Sequence, residues 1–330
     1  MKIAFMGSDA IALPMLKHLR EEQAAAVEID CVFTQPDRRS GRGMKLRMNA
    51  IKEWAIEEGI DVFQPKKCGA DEATLLSDRG IELVLVMAYG QILPKVMLAA
   101  PPKGTLNMHA SVLPRLRGAS PIHTAVAIGL EETGVSLMQI VPKMDAGPVA
   151  DVQKVSIDPD DKTSQVWDKL AAACIPLIDR NLSRIVSGEL EFIEQDDGQV
   201  TYCRIIDKSD NHLDFNQPAS ELYNRIRAFQ PWPGTTFLHR DIELKILEAE
   251  VDQLPKHGQP NGSVGLDADG KLSIYCGEDR LRLLKLQRPG GKPLETEVFL
   301  RGYPISDGEL LQSREMRPLE GPVPFPYKRK

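Results

Sequence analysis

Asn107 and His109 stand one residue apart in the run Thr105-Leu106-Asn107-Met108-His109, and Asp145 follows downstream in Met144-Asp145-Ala146-Gly147. If the run is extended, alternation puts Asn107 and His109 on one face and Leu106 and Met108 on the other. A carboxamide donates to an oxygen that gains negative charge, an imidazole titrates near neutral pH, and a carboxylate orients or charges that imidazole. Such a set suits transfer of an acyl or formyl group to an amine. A single strand histidine is most often a satisfied core residue. What moves the reading toward chemistry is the context: the Asn before it, the Ser111-Val112-Leu113-Pro114 turn after it, and the Asp-x-Gly loop beyond the next strand.

The segments that must carry these residues are legible as a series. Lys2 to Met6 is a short apolar strand ending at Gly7-Ser8, followed by a helix with Leu13, Leu16 and Leu19 on one side and a second strand from Val27 to Thr34. Asn49 to Glu58 reads as a helix. Leu83 to Met87 is apolar without alternation, as expected of a strand covered on both faces, and ends in Ala88-Tyr89-Gly90-Gln91. Arg115, Arg117 and Gly118 precede a helix with Ile122 and Val126, and Val135 to Val141 reads as a strand that delivers Asp145 at its carboxyl end. Asp151 to Ile157 adds an edge strand, and a long helix runs from about Ser164 to Val186. This order implies right-handed crossovers and an open parallel sheet with ligands beyond its carboxyl ends. Neither a dinucleotide fingerprint nor a phosphate-binding P-loop is present, so a nucleotide cofactor is not supported.

Between Thr34 and Arg47 the chain carries Arg38, Arg39, Arg42, Lys45 and Arg47, spaced by Gly41 and Gly43 after Pro36. A charge run is usually a solvated loop. This one follows a strand on the side where the catalytic residues gather, which points to a polyanionic substrate. Glu189 to Asp197 is acidic and polar, Gly198 to Ile206 is extended, and a linker is placed over 189–207. Pro218 to Phe229 reads as a helix. Short strands follow at Phe237 to Leu247, Gly262 to Leu266, Leu272 to Cys276 and Leu281 to Gln287, with a hairpin at Asp269-Gly270, which suggests a small antiparallel barrel.

At 330 residues the chain accommodates two cores, and a net charge of −6 argues against a protein that coats nucleic acid indiscriminately. Cys31, Cys68, Cys174, Cys203 and Cys276 are scattered and lack a paired spacing. They read as reduced thiols of a cytoplasmic protein. The opening Met1 to Met6 is too short for a signal peptide, no apolar run approaches the roughly 20 residues of a membrane span, and His109 with Asp145 has no third metal ligand at a recognisable spacing. No membrane contact and no metal are expected.

The arrangement resembles the 10-formyltetrahydrofolate-dependent formyltransferases, most closely the members that act on methionyl-tRNA. The family's Asn-x-His pair, Ser-Leu-Leu-Pro, Arg-x-Arg-Gly and distal Asp-x-Gly are matched by Asn107 and His109, Ser111 to Pro114, Arg115 to Gly118, and Asp145 to Gly147. Arg225 to Gly234 resembles the arginine, aromatic and tryptophan-proline signature that opens the family's carboxyl-terminal domain. Two departures are visible: Val112 replaces the usual Leu, and Ser8-Asp9-Ala10-Ile11 stands where many members carry Thr-Pro-Asp-Phe. The likeness implies an α/β fold, with a Rossmann-like open parallel sheet flanked by helices on both faces (residues 1–188) and a smaller OB-like β-barrel domain (208–330) for tRNA. It further implies 10-formyltetrahydrofolate as formyl donor, held by Tyr89, Gly90 and Gln91 and by Ser111, Val112, Leu113 and Pro114. Initiator methionyl-tRNA is the implied acceptor, approached by Arg38, Arg39, Arg42, Lys45 and Arg47, with Arg42 foremost. Asn107 and His109 are assigned to the oxyanion, and Asp145 to orienting His109 and moving the proton. Arg225, Arg227, Arg280, Arg282, Lys285 and Arg288 are candidates for a basic barrel surface, Phe229 and Trp232 for core aromatics, and the tail 312–330 for disorder. A monomer is expected. A UDP-aminosugar formyltransferase, a formyltetrahydrofolate hydrolase and a non-catalytic RNA-binding module are the competing readings.

Overall fold

A computed structural model describes residues 1–40, 44–253, 258–267 and 270–326. The chain divides into two units, Met1–Gly118 with Glu132–Ser156 and Trp167–Tyr202, and Ala119–Glu131 with Ile157–Val166 and Cys203–Lys330. The division is therefore not a single cut at a linker. Two short segments from the amino-terminal half join the second unit, for a packing reason: the helix Pro121–Ala127 buries Ala125 and Val126, the Thr163 hydroxyl donates to the Ala228 carbonyl, and the Arg227 guanidinium donates to the Asp161 carbonyl.

The first unit is built on a 7-stranded sheet in the spatial order Val149–Ser156, Glu132–Gln139, Thr105–His109, Leu83–Met87, Lys2–Gly7, Glu28–Phe33, Asp61–Phe63. From Thr105–His109 to Asp61–Phe63 all neighbours are parallel. One face carries Ala4, Met6, Cys31, Phe33, Val84 and Val86, packed under Leu76 of the helix Ala70–Asp78 and Met97 of the helix Lys95–Ala99. On the other, the Met87 sulfur meets the Cys174 thiol of the long helix Thr163–Ser187 at 3.9 Å. With helices on both faces, every residue of Leu83–Met87 is buried, which is why that strand has no polar alternation.

The strand after Asn107 and His109 corrects the expectation drawn from sequence. Glu132–Gln139 runs antiparallel to Thr105–His109, pairing Ser136 with His109 and Gln139 with Leu106. Its carboxyl end therefore lies beside the start of the His109 strand. Asp145 reaches the histidine only because the 140–148 loop turns back before Val149 pairs with Met138.

The second unit holds an antiparallel sheet in the order Thr235–His239, Ile242–Asp252, Arg280–Gln287, Leu272–Tyr275, Val264–Leu266, curled over a core of Phe215, Leu222, Ile226, Phe237, Leu283 and Phe299. The run expected as one strand from Phe237 to Leu247 is a hairpin, turned by Arg240 and Asp241 at φ 48° and 63°. Asp269 of the expected second hairpin lies outside the described residues. The tail does not behave as disordered over 312–326. Leu319 is buried, and Arg317 bonds both Asp207 and the buried Asp210. Composition rich in proline and charge suggested disorder; tertiary ion pairing holds the segment.

Candidate active site

Asn107 and His109 sit on the strand Thr105–His109, bounded as expected, with Asn107 half-buried and His109 buried. The Asn107 carboxamide has no hydrogen-bond partner among the described residues, whereas the histidine is held. Its Nε2 lies 3.0 Å from the carbonyl of Leu116. A carbonyl can only accept, so Nε2 carries the proton and a neutral His109 presents a lone pair at Nδ1. That atom stands 3.8 Å from Asp145 Oδ2. Two of the residues singled out in the sequence, His109 and Asp145, thus meet, and Asn107 stands two residues before His109 on the same strand, with one refinement: the N–H of the neutral ring is already engaged.

The loops that fix this geometry are backbone-strained. Leu116 (φ 59°) and Asp145 (φ 49°) both occupy the left-handed region, which is unfavourable for a residue as bulky as leucine. Leu116 is kept there by its own N–H, donated to Thr201 Oγ1 at 3.0 Å, and by the His109 ring on its carbonyl. Asp145 accepts the Gly118 N–H at 2.8 Å through Oδ2. Gly147 completes the Asp-x-Gly motif because a Cβ there would fall 1.8 Å from the Gln139 carbonyl oxygen. No other residue allows the loop to return so closely to its own strand.

The turn after His109 depends on a residue that sequence reasoning passed over. Ser136 is fully buried; its hydroxyl donates to the Ser111 carbonyl at 2.7 Å and accepts the Leu113 N–H at 3.1 Å. Ser111 itself donates from Oγ to the Arg115 carbonyl. Ser111 and Leu113 are therefore buried framework, while Val112 and Pro114 are half-buried.

The Tyr89-Gly90-Gln91 turn presents backbone, the Tyr89 and Gln91 side chains being spent inside the protein. Tyr89 is buried with its hydroxyl 3.2 Å from the Cys68 sulfur, and burial pushes its phenol far above the usual range. Gln91 spends its side chain on the Cys68 N–H and the Pro65 carbonyl. The main-chain groups of Gly90 and Gln91 have no partner among the described residues. The divergent Ser8 proves to be a tie between strand ends: it accepts the Gln35 N–H at 3.0 Å and donates its own N–H to the Ala88 carbonyl.

Arg38 and Arg39 lie on a short strand, Arg38–Ser40, paired antiparallel with Lys45–Arg47, so the segment read as a loop is a two-stranded ribbon. Arg38, Arg39, Lys45 and Arg47 are all exposed, and Arg42 lies outside the described residues. The barrel cations fare differently. Arg225 and Arg227 are buried, and burial lowers both guanidinium pKa values, Arg225 to about 10. Arg280 and Arg282 pair with Asp252, and Lys285 with Glu248 and Glu295. The antiparallel register between Ile242–Asp252 and Arg280–Gln287 sets acids opposite bases, so most of the expected basic surface is neutralised. Of the two expected core aromatics Phe229 is buried, but Trp232 is 51% exposed.

Among the described residues no group of three His, Cys, Asp or Glu side chains is placed to hold a metal ion, and no helix is long and apolar enough to cross a membrane. The formyl transferase family model matches residues 1–176, and the model of the formyl transferase carboxyl-terminal domain matches residues 205–304. The chain belongs to the formyl transferase family. Relatives agree over nearly the full length. The methionyl-tRNA formyltransferase of Aromatoleum aromaticum is 40% identical over 314 residues, covering 95% of this chain and 98% of the relative. That of Caldanaerobacter subterraneus is 36% identical over 316 residues, 94% and 100% respectively. Among solved structures, the N-formyltransferase from Helicobacter canadensis, in complex with folinic acid and dTDP-3-aminofucose, superposes with a TM-score of 0.64 at 18% identity, covering 88% of this chain and all of that one (100%). HypX from Aquifex aeolicus with tetrahydrofolic acid gives 0.56 at 14% identity, covering 96% of this chain and 51% of that one. At such identities these two establish a shared fold, and the fold of a formyl transferase is what the sheet and curled barrel display.

Proposed function

We propose that this formyl transferase moves the formyl group of 10-formyltetrahydrofolate to the α-amino group of methionine on initiator methionyl-tRNA, as a cytoplasmic monomer serving translation initiation. In this reading residues 1–188 carry the chemistry, the segment 189–207, whose first part folds with the first unit, leads on to residues 208–330, and these serve the tRNA. The observation that carries the reading is the 3.8 Å approach of the open Nδ1 of His109 to the Asp145 carboxylate, beside the strand that also bears the unpartnered Asn107, in a chain related over its length to methionyl-tRNA formyltransferases.

The nucleophile needs little help. An α-amino group titrates at roughly 7.7 to 8.0, so a useful fraction is neutral near pH 7. As it attacks the formyl carbon, the carbonyl oxygen becomes anionic and the nitrogen cationic. Asn107 donates to the oxygen. The ammonium proton passes to His109 Nδ1, directly or through water, because Nε2 is occupied by Leu116; Asp145 then faces an imidazolium. In that charged form His109 has an N–H at Nδ1 and supplements Asn107 at the oxyanion. Collapse breaks the bond to the folate N10, which takes the proton as it leaves, and formyl-methionyl-tRNA is released.

The folate is assigned to the strand ends beside these groups. A pterin edge alternates donors and acceptors, which the unpaired main-chain groups of Gly90 and Gln91 complement, and the half-buried Val112 and Pro114 of the Ser111–Pro114 turn offer apolar surface to it. The exposed Arg38, Arg39, Lys45 and Arg47, with Arg42 between them, take the phosphates of the acceptor end. The test is a three-arm assay: purified protein with 10-formyltetrahydrofolate and either methionyl-tRNA, a UDP-aminosugar or water. Formyl-methionyl-tRNA as the fast product supports the reading; a formylated sugar, or free formate alone, replaces it with one of its rivals.

A further inference from the structure

Gln195 lies in the acidic stretch Glu189–Asp197, which composition marks as linker, yet it is half-buried between exposed neighbours. Its amide is fully committed. Nε2 donates to the carbonyl of Asp145 at 2.9 Å and to that of Gly147 at 2.7 Å. Oε1 accepts from Arg117, from Nε at 3.0 Å and Nη2 at 2.8 Å. The orientation of the amide is forced by its partners: a guanidinium only donates and a carbonyl only accepts, so no flipped arrangement satisfies either side.

Arg117 is itself 1% exposed, and its Nη1 is buried with no hydrogen-bond partner among the described residues. Asp197 stands 3.9 Å from Nη2 and is itself 86% exposed. A buried cation satisfied mainly by a neutral amide oxygen is a costly way to fill space; a hydrophobic residue of similar volume would often be at least as stable. What a hydrophobic residue could not do is fix which end of Gln195 faces the Asp145 loop.

We infer that Gln195, oriented by Arg117, is a positioning residue that holds the Asp145 loop against His109. The inference rests on the formyl-transfer reading of the site. The loop needs such a hold: Asp145 is in the left-handed region, and its carboxylate has a single described donor, the Gly118 N–H. With the two carbonyls released, nothing else described bonds the Asp145 and Gly147 oxygens, and the carboxylate drifts from the place where the imidazolium forms. Gln195 touches neither substrate in this account, so its effect falls on turnover and leaves both KM values alone.

The test is Gln195→Glu, which keeps an acceptor for Arg117 but cannot donate to the two carbonyls. Misplacement of a catalytic group by about an ångström can cost about 100-fold, so kcat is expected to fall by roughly 10- to 100-fold, with KM for methionyl-tRNA and folate unchanged and thermal unfolding within a few degrees of the parent. The deciding measurement is the cycle with Asp145→Ala. If Gln195 works through Asp145, adding Gln195→Glu to Asp145→Ala lowers kcat no further. Multiplicative losses, or an unchanged kcat in the single variant, overturn the inference. Gln195→Met is carried in parallel, and failure of both variants to fold makes the contact structural and overturns it as well. A parent enzyme that forms no formyl-methionyl-tRNA refutes the functional reading instead.

Discussion

His109 Nδ1 and Asp145 Oδ2 lie 3.8 Å apart, beyond hydrogen-bonding distance but within ion-pair range. In the proposed mechanism the pair is weak while the ring is neutral and strengthens when Nδ1 takes the proton of the attacking amine, which is when the tetrahedral intermediate forms. Asp145→Ala therefore loses stabilisation in the transition state rather than in substrate binding. Loss of an acid–base group costs about 100- to 10,000-fold, and formylation by this variant is expected to fall by at least 100-fold in single-turnover assays while circular dichroism remains that of the parent. Near-normal turnover would remove Asp145 from the mechanism.

Asn107→Ala tests the oxyanion separately. Because the carboxamide has no described partner, its removal leaves no group in the protein unsatisfied, and stability should hardly change. Loss of one oxyanion donor typically costs about 100- to 1000-fold, and a drop of that order in kcat with unaltered thermal unfolding is the expected outcome. A variant that binds folate poorly but turns over normally when saturated would reassign Asn107 to ground-state binding.

Ser136→Ala separates framework from chemistry. Ser136 ties the Ser111 carbonyl to the Leu113 N–H with no solvent access, so the alanine leaves two buried polar groups unmet. An unsatisfied buried group costs about 1 to 3 kcal/mol. The urea midpoint should fall accordingly, and KM for folate should rise as the Ser111–Pro114 turn loosens. A loss of kcat alone, with the midpoint unchanged, would contradict this account.

How legible the site was in the sequence depended on whether a residue acts through its own strand or through distant contacts. Asn107 and His109 were readable because alternation along Thr105–His109 is a local rule, and Leu83–Met87 because an unbroken apolar run has few alternatives. The direction of Glu132–Gln139 was not, since apolar content does not encode whether a strand runs up or down; only its pairing with Leu106 and His109 does. Ser136 and Gln195 look like ordinary polar residues until partners 25 and 50 positions away are known. The helix Ala70–Asp78 went unread because its buried residues, Ala73 and Leu76, are few and set among acids. The barrel cations misled for the complementary reason: Arg280, Arg282 and Lys285 look like a basic surface until the antiparallel register supplies Asp252, Glu250 and Glu248.

That contrast separates the two sets of cations. Arg39, Lys45 and Arg47 are exposed, and no ion pair to them is found among the described residues. Replacing all three with alanine should raise KM for methionyl-tRNA by about tenfold or more and flatten its dependence on salt, each lost phosphate contact reducing the log–log slope by roughly 0.7 to 0.9. KM for folate should stay put. Arg282→Ala, by contrast, breaks bonds to Glu250 and Asp252 and should lower stability while leaving KM for tRNA unchanged. The reverse pattern would move tRNA recognition onto the barrel strands.

The barrel also predicts its own acid sensitivity. Glu309 accepts from His239 Nε2 at 2.6 Å, and that hydrogen bond, with those from Ser306 and Arg240, lowers its carboxyl from 4.5 to about 2. A carboxylate depressed in the folded state stabilises it above the unfolded pKa, and the contribution is lost as pH falls toward the folded value. The stability gap between the parent and Glu309→Gln should therefore be constant from neutral pH down to about 5 and narrow progressively between about 4.5 and 2. Urea midpoints of both proteins at a series of pH values measure it. A gap that widens on acidification would mean that the Glu309 carboxyl is protonated in the native state and that the His239 contact contributes no ionic stabilisation.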